Sequence, residues 1–194
     1  MRYRLQDHPR LLSALSMITL RTQIEVPGIT GREILEFLLN CTDEEYQRWW
    51  PGTHLKFHTI QGFPGDVGTV IFMEEFVGRR RVKAKGVVAE VDAGRKVVWQ
   101  FKKLVRLPVR LILVLEDNPD AVQLTHTIEI GYSGVGRMLD PLFRLYFSRE
   151  FATAMDEHVR TEFPKLRDML RESSLSRNRD RGRLEGRDTQ GGDP

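Results

Sequence analysis

Residues 140–170 read DPLFRLYFSREFATAMDEHVRTEFPKLRDML, and this stretch decides the fold. Phe147, Phe151, Met155, His158 and Glu162 follow one another at spacings of four, four, three and four. That is the stripe of a helical period, so the five side chains share one face of a long helix over 140–170. Three of them are apolar, so the face points inward. A histidine and a glutamate four residues apart on that face can offer ligands to one ion from adjacent turns, or can pair with each other. A buried imidazole beside a buried carboxylate is costly unless it is paired or bound to metal. Pro164 predicts a kink just past Glu162.

Ahead of this helix the chain alternates. Ile18–Val26 reads as a strand ended by Pro27-Gly28. Thr30 with Glu33, and Thr42 with Glu45, have the spacing of capping boxes, so two short helices follow. Pro51-Gly52 stops the second. Strands are then predicted at Thr53–Gln61, Thr69–Val77, Arg80–Val91, Lys96–Lys102, Val109–Leu115 and Val122–Ile130. Asp92-Ala93-Gly94 is a hairpin turn. In the second of these six strands Ile71, Met73, Glu75 and Val77 share a face, with Glu74 on the other. In the last, Val122, Leu124, His126, Ile128 and Ile130 share a face, so His126 interrupts an apolar row. Tyr132–Arg137 is a Gly-rich connection to the long helix.

Seven antiparallel strands with one long helix to cover their apolar face give an α+β layer architecture. Successive hairpins curve such a sheet strongly. A curved sheet around a helix leaves room for a cavity. Met73, Val82, Trp99, Leu124, Phe151 and Met155 are the residues expected to line it.

Composition bounds the rest. A length of 194 residues fits one domain with tails: an extension over 1–15, a folded unit over 16–172, and an Arg-rich tail over 173–194. The tail has almost no apolar residue and is expected to be disordered. Its arginines are interleaved with acidic residues and no aromatic is present for base stacking, so no nucleic-acid partner is expected. No apolar run approaches the ~20 residues of a membrane span. One cysteine, Cys41, excludes an intramolecular disulfide and a Cys-rich zinc site, and points to a reducing compartment, the cytoplasm. The net charge of +3 is weak support for an anionic partner.

The element order from Ile18 to Leu170, and the segment GYSGVGRMLDPLFRLYF leading into the last helix, resemble the START-like helix-grip superfamily. Its members, also described as polyketide cyclase, dehydrase and lipid-transport proteins, bind small hydrophobic molecules, and some catalyse reactions on them. A narrower resemblance lies in three motifs. Trp50-Pro51-Gly52-Thr53-His54, Glu75-Phe76-Val77-Gly78 and His158-Val159-Arg160-Thr161-Glu162 look like the metal-site motifs of the diacetylphloroglucinol hydrolases. These helix-grip enzymes use zinc to hydrolyse a carbon–carbon bond between an acyl group and an aromatic ring. The resemblance implies zinc held by His54, Glu75, His158 and Glu162. Zinc accepts imidazole nitrogen and carboxylate oxygen. Four protein ligands require five-coordination, or one of the four acting as a base. His58, further along the same strand, is an alternative first ligand. The long N-terminal part that helps to shape the substrate pocket of characterised members has no counterpart here, so substrate identity is not implied.

Three functions compete at this point. One is a metal-dependent hydrolase of an acyl–aromatic substrate, with His126 and Glu162 as candidate catalytic groups. Another is a non-catalytic carrier or sensor for a lipid or polyketide. The last is a metal-free cyclase or dehydratase using His and Glu as acid and base.

Overall fold

A computed structural model describes residues 18–102, 106–131 and 146–188. The elements are β1 (Ile18–Pro27), α1 (Gly31–Asn40), α2 (Asp43–Trp49), β2 (His54–Gln61), β3 (Val70–Val77), β4 (Arg80–Asp92), β5 (Lys96–Lys102), β6 (Arg106–Asp117), β7 (Ala121–Ile130) and the long C-terminal helix α3 (Arg149–Asp188). The seven strands form one sheet in the order β1-β7-β6-β5-β4-β3-β2, with every neighbouring pair antiparallel. This is the α+β architecture that the alternation predicts.

Local signals explain the short helices. Thr30 accepts the N–H of Glu33 while the Glu33 carboxylate takes the Thr30 N–H, and Thr42 and Glu45 repeat the arrangement. Each pair satisfies two N–H groups that a helix start would otherwise leave without partners. The apolar face of α1, Ile34, Leu35 and Leu38, and the α2 residues Tyr46 and Trp49 are buried in the common core.

The long helix begins later than the periodicity suggests. Ser148 accepts the Phe151 N–H, so α3 starts at Arg149, and the stretch from 140 to 145 lies outside the described residues. A serine hydroxyl is a strong N-cap, and an apolar stripe alone does not mark where a helix starts. The inward face of α3 carries Phe151, Met155, Val159, Phe163, Leu166 and Met169, all buried. The helix runs without interruption through Pro164. At its other end it continues to Asp188, where composition predicts an unfolded tail from Ser173. Arg, Leu and Glu are good helix formers, and extending a nucleated helix is far easier than starting one. The extension over 1–15, the Gly-rich connection and residues 189–194 lie outside the described residues. Among the described residues no helix is long and apolar enough to cross a membrane.

The β3–β4 turn shows how closely sheet and helix approach. Gly78 has φ +58°, and a Cβ placed there would lie 3.0 Å from the Cβ of Ala154 in α3. Both the backbone and the contact ask for glycine. Gly78→Val is expected to cost roughly 2 kcal/mol or more from the left-handed backbone alone. The urea midpoint of unfolding measures it, and an unchanged midpoint contradicts the close approach.

Candidate metal centre and cavity

Between the sheet and α3 lies a partly open cavity of about 480 Å³. Its wall is mostly apolar and includes Met73, Val82, Trp99, Phe151 and Met155. Leu124 is the exception among the expected lining residues. It is fully buried between its strand neighbours Ile24 and Leu115 and does not reach the cavity. Alternation assigns a residue to a face but not to a depth along the strand, and on β7 the cavity takes His126 and Ile128 instead.

The polar part of the wall includes Tyr46, Glu75, His126 and Glu162. Glu75 and Glu162 belong to a cluster completed by His54 and His158. Three elements supply it: β2 begins with His54, β3 carries Glu75 opposite it in the ladder, and one turn of α3 carries His158 and Glu162. The α2–β2 turn sets His54, whose N–H donates to the Trp50 carbonyl at 3.0 Å.

The geometry is compact. His158 Nε2 lies 3.3 Å from Glu162 Oε2 and 3.7 Å from Glu75 Oε2. His54 Nε2 lies 3.5 Å from Glu162 Oε2 and 3.9 Å from Glu75 Oε2. One donor atom from each of the four residues lies within 4.8 Å of the others. Ligands at 2.0–2.2 Å around a tetrahedral zinc stand roughly 3.4 Å apart, so the spacing fits a shared ion. All four residues are buried, His54 completely. Neither Nε2 makes a well-formed hydrogen bond, although carboxylate oxygens lie within ion-pairing distance of both. Two orphaned imidazole nitrogens facing two buried carboxylates are a donor set that can hold a cation, and the residue types fit zinc.

The electrostatics agree. Burial alone would push the His158 imidazole down, but Glu162, Glu75 and a hydrogen bond with the Phe76 backbone raise it to about 9. Burial would raise the Glu162 carboxyl, and His158 and His54 instead hold it well below the usual carboxylate range. Without a metal, the pair therefore borrows its cation from a proton on His158. The backbone bond at Phe76 also fixes the ring, the usual job of a partner behind a metal-binding histidine.

Two neighbours of the cluster escape a reading of the sequence. Tyr46 stacks on His54 with ring centroids 4.0 Å apart, and its hydroxyl donates to Glu75 Oε2. Burial, then Glu75 and Glu162, push its phenol well above its ordinary value, so it stays a donor. Trp49 donates its indole N–H to the Glu162 carbonyl at 2.6 Å. On α2 both look like ordinary core residues of an amphipathic helix, and only the tertiary fold sets them against β3 and α3. His58 does not join the cluster. It is half-exposed and its Nδ1 lies 2.8 Å from Asp43. Glu74 faces the other way, to Arg81 and Lys83. His126 is buried, and its imidazole is pushed down to about 4 by burial, with Glu162 opposing and His158 assisting. It is neutral at physiological pH.

No family model and no curated protein matches the chain. Solved structures do. The solution structure of KanY protein aligns with a TM-score of 0.54 at 9% identity, covering 80% of this chain and 99% of that one. The protein of unknown function SA2116 from Staphylococcus aureus aligns at 0.53 and 9% identity, covering 83% and 99%. The major latex-like protein 151 from Panax ginseng gives 0.49 at 12% identity, covering 73% and 97%. At such identities a likeness speaks for the fold alone, and the fold is the helix grip.

Proposed function

We propose that this chain binds a small hydrophobic, aromatic molecule in its cavity and hydrolyses an acyl–aromatic carbon–carbon bond with a divalent ion, zinc, held by His54, Glu75, His158 and Glu162. The observation that carries the reading is the buried two-histidine, two-glutamate cluster whose carboxylates form part of a mostly apolar cavity wall. The motif resemblance supplies the reaction class.

The chain's own residues have defined tasks in this reading. Trp99 and Phe151 offer flat apolar surface to an aromatic ring. Tyr46 orients the Glu75 carboxylate by donating to it, and Trp49 holds the α3 turn that carries Glu162. His126, buried in the cavity wall, is the candidate for relaying a proton to the aromatic ring carbon that loses the acyl group, and its low value means that it holds that proton only transiently. Glu162 is a ligand that also suits base work. When bound, the ion supplies Lewis acidity toward an acyl carbonyl and toward water.

The test is to titrate the zinc-loaded chain with a hydroxylated acetophenone while following tryptophan fluorescence, and to assay release of acetate. Saturable quenching that is largely lost in Trp99→Phe is expected, together with acid release that His126→Ala lowers about 100-fold or more. Saturable quenching without acid release returns the chain to the carrier reading. Absence of both removes the aromatic ligand as well.

A further inference from the structure

We propose that the outer face of the β2–β5 half of the sheet, with the β2–β3 hairpin tip, is a docking surface for anionic lipid bilayers. Three of the five exposed large hydrophobic side chains among the described residues fall within eight residues of this tip: Ile60, Phe63 and Val67, the last two 78% and 63% exposed. The tip presents them on a fixed backbone. Asp66 N–H donates to the Phe63 carbonyl, Thr69 Oγ1 donates to the same carbonyl, and Gly68 N–H donates to Val88 O at 2.8 Å. Gly62, Gly65 and Gly68 supply the positive φ angles that this path needs. A built loop that holds a phenylalanine and a valine in water is a contact surface awaiting an apolar partner.

Charge on the adjoining face says which partner. Behind the tip, a cross-strand row on the outer face runs His58, Phe72, Lys85, Lys102, and Lys56 lies in the next row opposite Glu74. Lys56, Lys85 and Lys102 have no ion-pair partner among the described residues. Arg81 and Lys83 share the buried Glu74, two cations on one carboxylate. The acidic groups nearby are Asp66 at the tip, Asp43, which is engaged by His58, and, toward the end of β4, Glu90, which is paired with Lys96, and Asp92. Cations excess to carboxylates, beside apolar side chains standing out of the surface, match a bilayer: lysines neutralise headgroups while the tip enters the interface. A nucleic acid would engage the lysines but gives aliphatic Ile60 and Val67 nothing to stack on. The inference is independent of the metal centre, which faces the opposite side of the sheet.

Vesicle sedimentation of the full chain tests it, using phosphatidylcholine alone and phosphatidylcholine mixed with phosphatidylglycerol. Binding to the mixed vesicles only is expected, weakened by salt, with a roughly fivefold loss for each of Lys85→Ala and Lys102→Ala. Phe63→Trp should show a blue-shifted emission on the mixed vesicles that quenchers in water reach poorly. Phe63→Ser with Val67→Ser, at exposed positions that leave the core untouched, should abolish sedimentation. Failure to sediment, equal binding to neutral vesicles, an emission of the Phe63→Trp variant that vesicles leave unshifted, or displacement of the chain from vesicles by duplex DNA each overturns the proposal.

Discussion

Replacing His158 with alanine is expected to weaken zinc binding by more than about 100-fold, since loss of a partner that merely supports a ligand already costs 10–100-fold. The substitution removes one of two imidazole donors and leaves Glu75 and Glu162 facing each other with His54. Glu162→Gln keeps the shape of the side chain and the Trp49 bond to its backbone, so it should weaken the metal while the fold stays intact. Glu74→Gln is the control. Its carboxylate faces Arg81 and Lys83 on the outer side, so zinc content should not change. Zinc determination on dialysed protein reads all three. Equal zinc in wild type and His158→Ala contradicts the site.

Chelating the ion from the loaded chain is expected to lower the thermal midpoint by roughly 10 °C. An ion at a thousand times its dissociation constant contributes about 4 kcal/mol, and a domain of this size loses about 2–4 °C for each kcal/mol. The pH profile then separates the two forms. In the metal-free chain His158 titrates at about 9, above its unfolded value of 6.5. Its contribution is therefore full below pH 6.5 and is lost as the pH rises through about 9. His126 has the opposite sign. Its folded value of about 4 lies below 6.5, so stability falls as the pH drops from 6.5 toward 4. Glu162, held low by His158, adds to the acid loss. The metal-free chain should be most stable near pH 6.5 and should lose stability on both sides. In the loaded chain the histidines are neutral ligands, so the alkaline loss should vanish while proton competition steepens the acid side. Identical profiles with and without chelator contradict a metal at these residues.

Much of this is legible in the amino-acid order. Periodicity puts His158 and Glu162 on one helical face, and alternation separates Glu75 from Glu74, because both depend on local geometry that a spacing encodes. The capping boxes at Thr30 and Thr42 are legible for the same reason. His54 needs the motif resemblance, since the ends of a strand carry no periodic signal and His58 competes. Tyr46 and Trp49 are not legible at all. Their partners, Glu75 and Glu162, stand 29 and 113 residues away, and nothing in a short amphipathic helix announces a hydrogen bond across the fold. For Leu124 and the start of α3, a pattern gives direction without extent.

X-ray absorption at the zinc edge, on the full chain loaded with one equivalent, reads the ligands of the ion themselves. The expected result is imidazole nitrogen and carboxylate oxygen around the ion at about 2.0–2.2 Å, with outer scattering from two imidazole rings that falls to one in His158→Ala. A shell of water-like oxygens without imidazole scattering, or a sulfur at about 2.3 Å from Cys41, would contradict it.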